Sequence, residues 1–225
     1  MPFHPFSKEH YITLAIGFAI IAILILAAKR AGKNQKHITL FLALTNLLSP
    51  LIAYFVWKDY PHRLDNLIPY HLCDLAAIIG GFALLTRKPF LLTLTYFWGL
   101  AATLQALLTP AIPHGPPTAP FFHFFIQHFA IVAAALYIPI VLKWRPETPF
   151  WKSPLKVFGI SLVYHVSTIP INSLLDTNFA FSLSKPQAAS LIDHLGPWPV
   201  YLFAMQALAL VLFLILALPF RKSTR

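Results

Sequence analysis

Seven long apolar runs, almost free of charge, dominate this chain and restrict what it can fold into. They fall at about Tyr11–Ala28, Ile38–Trp57, Ile68–Thr86, Phe90–Thr109, Phe121–Leu142, Pro154–Leu175 and Trp198–Phe220. A helix needs roughly 20 apolar residues to cross the hydrocarbon of a bilayer, and it satisfies its own backbone hydrogen bonds while doing so. The pattern therefore predicts an all-α polytopic membrane protein, one domain of seven transmembrane helices over residues 1–225. The first run reads as an anchor rather than a signal peptide. It is long for a signal's apolar region, its stronger basic cluster follows it, and "LAAKRAGK" is a poor cleavage site.

Charge supports the same picture. Only 11% of residues are charged, against about 25% in a soluble domain. The formal charge of +10 is not read as a nucleic-acid signal, because the basic residues sit at the ends of apolar runs. Lys29, Arg30, Lys33 and Lys36 follow the first run, and Arg87 and Lys88 follow the third. Lys143, Arg145, Lys152 and Lys156 flank the loop after the fifth, and Arg221, Lys222 and Arg225 follow the seventh. The other side has only Lys8, Lys58, Arg63 and Lys185. The positive-inside rule then sets the N-terminus outside and the C-terminus in the cytoplasm. The expected location is a plasma membrane, the inner membrane of a bacterium.

Polar residues within the runs collect at one depth under that topology. His71, Cys73 and Asp74 open the third run, and Gln105 and Thr109 close the fourth. Gln127 and His128 lie in the outer part of the fifth, with His123 above them. His165, Thr168, Asn172 and Asp176 share a helical face on the sixth, because offsets of three, four, seven and eleven return to one side. Gln206 lies below the outer end of the seventh. An ionisable group at a helix centre costs about 2.5–3.5 kcal/mol on insertion scales, so such groups face the bundle interior or a cavity. Their convergence predicts a polar chamber in the outer half.

The single cysteine, Cys73, excludes an intramolecular disulfide and any multi-cysteine metal site. Pro69 suits a first helical position, which puts Cys73 near the start of a helix, where the positive end favours a thiolate. Asp74 opposes that charge. His71 and Cys73 lie about 200° apart on a helix and cannot face each other if both are helical. A histidine serving Cys73 must come from another helix, with His128 best placed by depth and His165 second. Each residue also has a plain structural reading. Cys73 would be a small buried side chain, Gln105 and Asn172 helix-joining amides, and Asp74 a helix-dipole partner. No H-x-x-x-H or similar spacing occurs, so no metal and no cofactor is expected.

"HLCDLAA" (residues 71–77), "YFWGLAATLQALLTP" (96–110), "FIQHFAIV" (125–132) and "LGPWPVYL" (195–202) together resemble the YwaF family of bacterial membrane proteins. That family is similar to a eukaryotic transmembrane acyltransferase family that places polyunsaturated chains on ether phospholipids. The resemblance implies a cysteine nucleophile at Cys73 in "HLCD" and a histidine partner at His128 in "FIQH". His71, Asp74, Gln105, Asn172 and His165 are the supporting candidates. The leading expectation is acyl transfer on membrane phospholipid. The alternative is a transporter or ligand-binding protein using the same chamber. No nucleic-acid partner is expected, and the oligomeric state stays open.

Overall fold

The computed structural model describes residues 3–57, 64–110, 112, 114–186 and 190–221. Lys58, Arg63, Lys222 and Arg225, counted above in the charge bias, lie outside the described residues. Seven helical segments carry the fold: α1 Lys8–Arg30, α2 Gln35–Trp57, α3 Leu72–Thr86, α4 Pro89–Leu108, α5 Ala119–Ile140, α6 Lys152–Leu175 and α7 Val200–Ala217. No strand element occurs among the described residues. All but α3 belong to stretches long and apolar enough to cross a membrane, six in number among the described residues. At 15 residues, α3 reaches only about 22 Å at 1.5 Å per residue, short of a hydrocarbon core of about 30 Å.

Local sequence sets most of the helix ends. The Ser7 hydroxyl accepts the His10 backbone N–H to start α1, which ends on Lys29 and Arg30 where the negative helix end favours cations. Pro89 stands in the first turn of α4, where its missing N–H costs nothing. Two helices end on a left-handed residue, α3 on Arg87 (φ 55°) and α6 on Asp176 (φ 51°). Each reverses the chain sharply. After Arg87 only Lys88 precedes α4, so α3 and α4 pack as neighbours.

The centre of the bundle is α2, α3, α4 and α5. Its contacts are built from small residues: Ala43, Ala76, Ala77, Ala83, Ala133, Ala134 and Ala135 are buried. Small side chains let helix backbones approach where lipid supplies no hydrophobic drive for association. At Gly81, an added Cβ would lie 2.9 Å from the Ala43 carbonyl oxygen, so α2 and α3 touch backbone to backbone. Asn46 ties α2 to α5 instead, donating to the Ala130 carbonyl at 3.0 Å and to Leu42 of its own helix at 2.9 Å. Outward-facing Phe55, Phe82, Phe90, Val163 and Phe203 remain exposed on the protein surface, as a lipid-facing surface requires.

Two expectations are corrected here. The third apolar run is helical from Leu72, not from Ile68, and Pro69 is not its first helical residue. The Tyr164 hydroxyl donates to the Tyr70 carbonyl at 2.9 Å, and the Tyr70 hydroxyl bonds the Ser167 hydroxyl at 2.8 Å. These bonds to α6 hold the chain just ahead of α3, so His71 becomes an extended N-cap (ψ 150°). The fourth run is not a uniform α-helix either: Gly99–Thr103 is a π-helical stretch within α4.

Candidate functional site: a chamber behind the start of helix α3

A cavity of about 450 Å³ opens between α3, α4, α5, α6 and α7 and is roofed by the segment that follows α6. That roof has a specific cause. Asn172, on the last turns of α6, donates to the Phe179 carbonyl (2.9 Å) and the Ser182 hydroxyl (2.8 Å). Its side-chain oxygen accepts the Phe179 backbone N–H (2.8 Å) and the Thr177 hydroxyl (2.9 Å). Asp176 turns the chain back, and Asn172 pins it there. Ala180 and Phe181 then face the cavity, and Phe179 packs edge-on against the His71 ring at 5.2 Å. Asn172 does not line the chamber. Every polar atom of its amide is occupied in holding the roof, which corrects its expected place in the chamber wall.

His71, Cys73, Asp74, Gln105, His128 and His165 all line this cavity. With Leu72 as the first helical residue, Cys73 and Asp74 stand in the opening turn of α3. Cys73 is half-buried as a residue, and the Thr103 hydroxyl stands beside its thiol. Thr103 is the last residue of the π stretch and is fully buried. The extra residue of a π turn shifts the helix face that follows it. Gly99 opens that turn where α4 presses on α5: a Cβ there would come within 2.7 Å of the Ala135 Cβ and 3.2 Å of the Ile131 carbonyl oxygen. The run "GLAAT" was the available signal for this interruption, but its small residues read equally as plain helix contact.

Polar contacts fix the remaining side chains. Gln127 donates from Nε2 to the Asp74 carboxylate at 2.7 Å, joining α5 to α3. His123 donates from Nε2 to the Ser49 carbonyl at 2.8 Å, joining α5 to α2. His128 is buried, stacks on Phe124 at 3.9 Å between ring centroids, and donates from Nδ1 to the Phe124 carbonyl at 2.7 Å. A carbonyl can only accept, so Nδ1 carries the proton and Nε2 is the basic nitrogen of the ring. His165 is held instead by Gln206 of α7, 3.0 Å from its Nδ1. One turn from His165 on α6, the Ser161 hydroxyl accepts from the Trp98 indole of α4 at 2.8 Å. Three features escaped the sequence reading: Thr103 behind the thiol, the Trp98–Ser161 bond, and the aromatic roof of Phe179 and Phe181. Among the described residues, no group of three or more His, Cys, Asp or Glu side chains is placed to hold a metal ion.

Several apolar helices around a buried chamber with titratable side chains define a multi-pass helical membrane protein. The TMEM164 family matches residues 5–217. The chain belongs to the TMEM164 family. It is also similar to a protein of Treponema pallidum (strain Nichols) described only as uncharacterized, with 27% identity over 158 residues. That match covers 70% of this chain and 64% of the relative, so the chain spans slightly less than two thirds of the relative's length. No solved structure matches.

Proposed function

We propose that this protein is a lipid acyltransferase of the plasma membrane, with Cys73 as nucleophile and His128 as its base. The observation that carries the reading is that one cavity has both residues in its wall, with the basic Nε2 of His128 defined by the bond from Nδ1 to Phe124. The proposed path is balanced in two halves. The Cys73 proton passes to His128 Nε2 while sulfur attacks an acyl ester carbonyl. The ester C–O bond breaks, the leaving oxygen takes that proton, and a Cys73 thioester remains. An acceptor alcohol then gives its proton to His128 and attacks the thioester. The C–S bond breaks and the thiol is regenerated.

Trp98, Ala101, Leu208, Leu212 and Phe213 form an apolar wall suited to an acyl chain, in a volume typical of small-molecule pockets. The fold-level proposal is seven spans with the N-terminus outside and the C-terminus in the cytoplasm, α3 being the short seventh. The YwaF resemblance belongs with this reading and extends it to bacterial relatives. A second reading, a carrier for a small polar ligand, is favoured by one observation: α4 departs from α-helical geometry next to the cavity, and discontinuous helices mark many transport sites. Labelling with an acyl-mimetic electrophile separates the two. The enzyme reading expects label on Cys73, none in Cys73→Ala, and loss of lipid remodelling in that variant. A folded Cys73→Ala protein that keeps full function overturns it in favour of the carrier.

A further inference from the structure

Thr103 breaks a pattern that its own helix sets. Thr93 and Thr95, ahead of the π stretch, and Thr109, just past the end of α4, each return the hydroxyl to the carbonyl four residues back, at 2.8, 2.8 and 3.1 Å. That bond spends the only proton the side chain can donate. Thr103 closes the π stretch, is fully buried, and its hydroxyl has no hydrogen-bond partner. An unpaired buried hydroxyl is unfavourable, and valine would fill the same space without that cost. The group beside it is the Cys73 thiol, since α3 packs on the π stretch. A neutral thiol is a weak acceptor. A charged acceptor takes a hydrogen bond roughly twice as strong, so this hydroxyl gains its partner when the sulfur ionises.

We infer that Thr103 is the fixed hydrogen-bond donor to the Cys73 thiolate, a positioning residue that acts through the sulfur. Cys73 lines the cavity and Thr103 does not, so the hydroxyl meets the sulfur from the protein side and touches no substrate. Such a donor is in place before charge develops and needs no reorganisation when it does. Thr103 keeps its own proton. The thiol proton passes to His128 in the first half-reaction, and the same hydroxyl meets the sulfur again as the C–S bond breaks in the second. The part this thiolate plays in acyl transfer rests on the proposed reaction. The hydrogen bond itself does not. The other titratable groups of the cavity wall are Asp65, His71 and Asp74 ahead of and on α3, His123 and His128 on α5, and Tyr164 and His165 on α6. All stay in place when Thr103 alone is changed, so a comparison of Thr103 variants isolates the hydroxyl.

The test follows iodoacetamide labelling against pH for the full chain in lipid nanodiscs, as wild type, Thr103→Val and Thr103→Ser. Cys73 is the only cysteine, so the label reports one site. Losing one hydrogen bond to the charge is expected to lower the thiolate fraction at fixed pH about tenfold. The released thiolate is the better nucleophile, with a Brønsted slope of about 0.4–0.5, which returns about threefold of that loss. The expected result is a profile moved up by about one pH unit in Thr103→Val, with labelling about threefold slower on its rising limb. Thr103→Ser should restore it. The unfolding midpoint of Thr103→Val should be unchanged or higher, because the resting hydroxyl has no bond to lose. A merely structural role would lower that midpoint and leave the profile in place. Thr103→Ala removes the same hydroxyl should the valine protein not fold. Superimposable profiles with and without the hydroxyl, a displacement that Thr103→Ser shares, or an inert Cys73 in wild type overturn the inference. A displaced profile together with a Cys73→Ala protein that still remodels lipid keeps the donor and removes the acyl-transfer reading. Superimposable profiles together with loss of remodelling in Cys73→Ala do the reverse.

Discussion

At the scale of single residues, Cys73 and Asn172 divide chemistry from architecture. Cys73 at the chamber is expected to react with iodoacetamide, and His128→Ala should slow that reaction if Nε2 takes the thiol proton. His123→Ala should change it less, because His123 is committed to the Ser49 carbonyl. Asp74→Asn should speed labelling if the carboxylate only opposes the thiolate, and slow it if Asp74 orients a histidine. Rates measured on the four folded proteins decide. Asn172→Ala should act through the fold instead. It strands the buried Phe179 backbone groups, and an unsatisfied buried polar group costs about 1–3 kcal/mol. A lower unfolding midpoint together with faster proteolysis within residues 177–186 is expected. An unchanged cleavage rate would show that Asn172 does not hold the roof.

At the scale of elements, the departures from ideal helices sit where the helices are forced together. Gly99 is the clearest case, because its missing Cβ allows α4 to meet Ala135 and the Ile131 carbonyl of α5. Neither neighbour can swing aside. Gly99→Ala is therefore expected to lower stability by about 1–3 kcal/mol, the usual cost of overfilling a packed contact. Thermal unfolding in detergent measures it, and a neutral result would mean that α4 and α5 separate freely. The loop between α5 and α6 gives a smaller effect. Lys156 at 2.8 Å, and Lys152 at 3.2 Å, hold the Glu147 carboxyl below the usual carboxylate range. A group depressed in the folded state stabilises above its ordinary value, and that contribution fades as pH falls through the depressed one. Glu147 is largely open to solvent, so the effect is expected to be slight. The acid-side fall in unfolding midpoint should be marginally steeper in wild type than in Glu147→Gln.

At the scale of the whole molecule, the proposed topology is open to direct measurement. Reporter fusions after Phe220 are expected to read cytoplasmic, and fusions within residues 110–120 to read outside. Opposite signals would mean that α3 does not cross, because removing one span inverts everything after it. The short α3 is the element on which that outcome turns. It packs against both α2 and α4, and its Leu72 end stands beside the chamber.

Hydropathy alone was enough to announce an all-helical membrane protein, since insertion depends on summed apolar length and little else. It located six of the long helices to within a few residues, because charges and helix-ending residues mark their boundaries in the chain itself. The histidines, the cysteine and the amides of the chamber were legible for a related reason: a polar group in an apolar run is costly and needs an interior partner. Which partner it takes was not legible. Asn172 and His165 share a helix face in the sequence, yet one holds the roof and the other meets Gln206, because the turn at Asp176 brings residues 177–182 back over only part of that face. Likewise His10, seemingly a residue of the α1 flank, donates to the Leu107 carbonyl at 2.8 Å. A helix end leaves carbonyls without intrahelical donors, and only the packing of α1 against the end of α4 supplies this one. Tertiary structure decided such pairings because each partner lies on another helix or beyond a reversal of the chain, where helical periodicity carries no information.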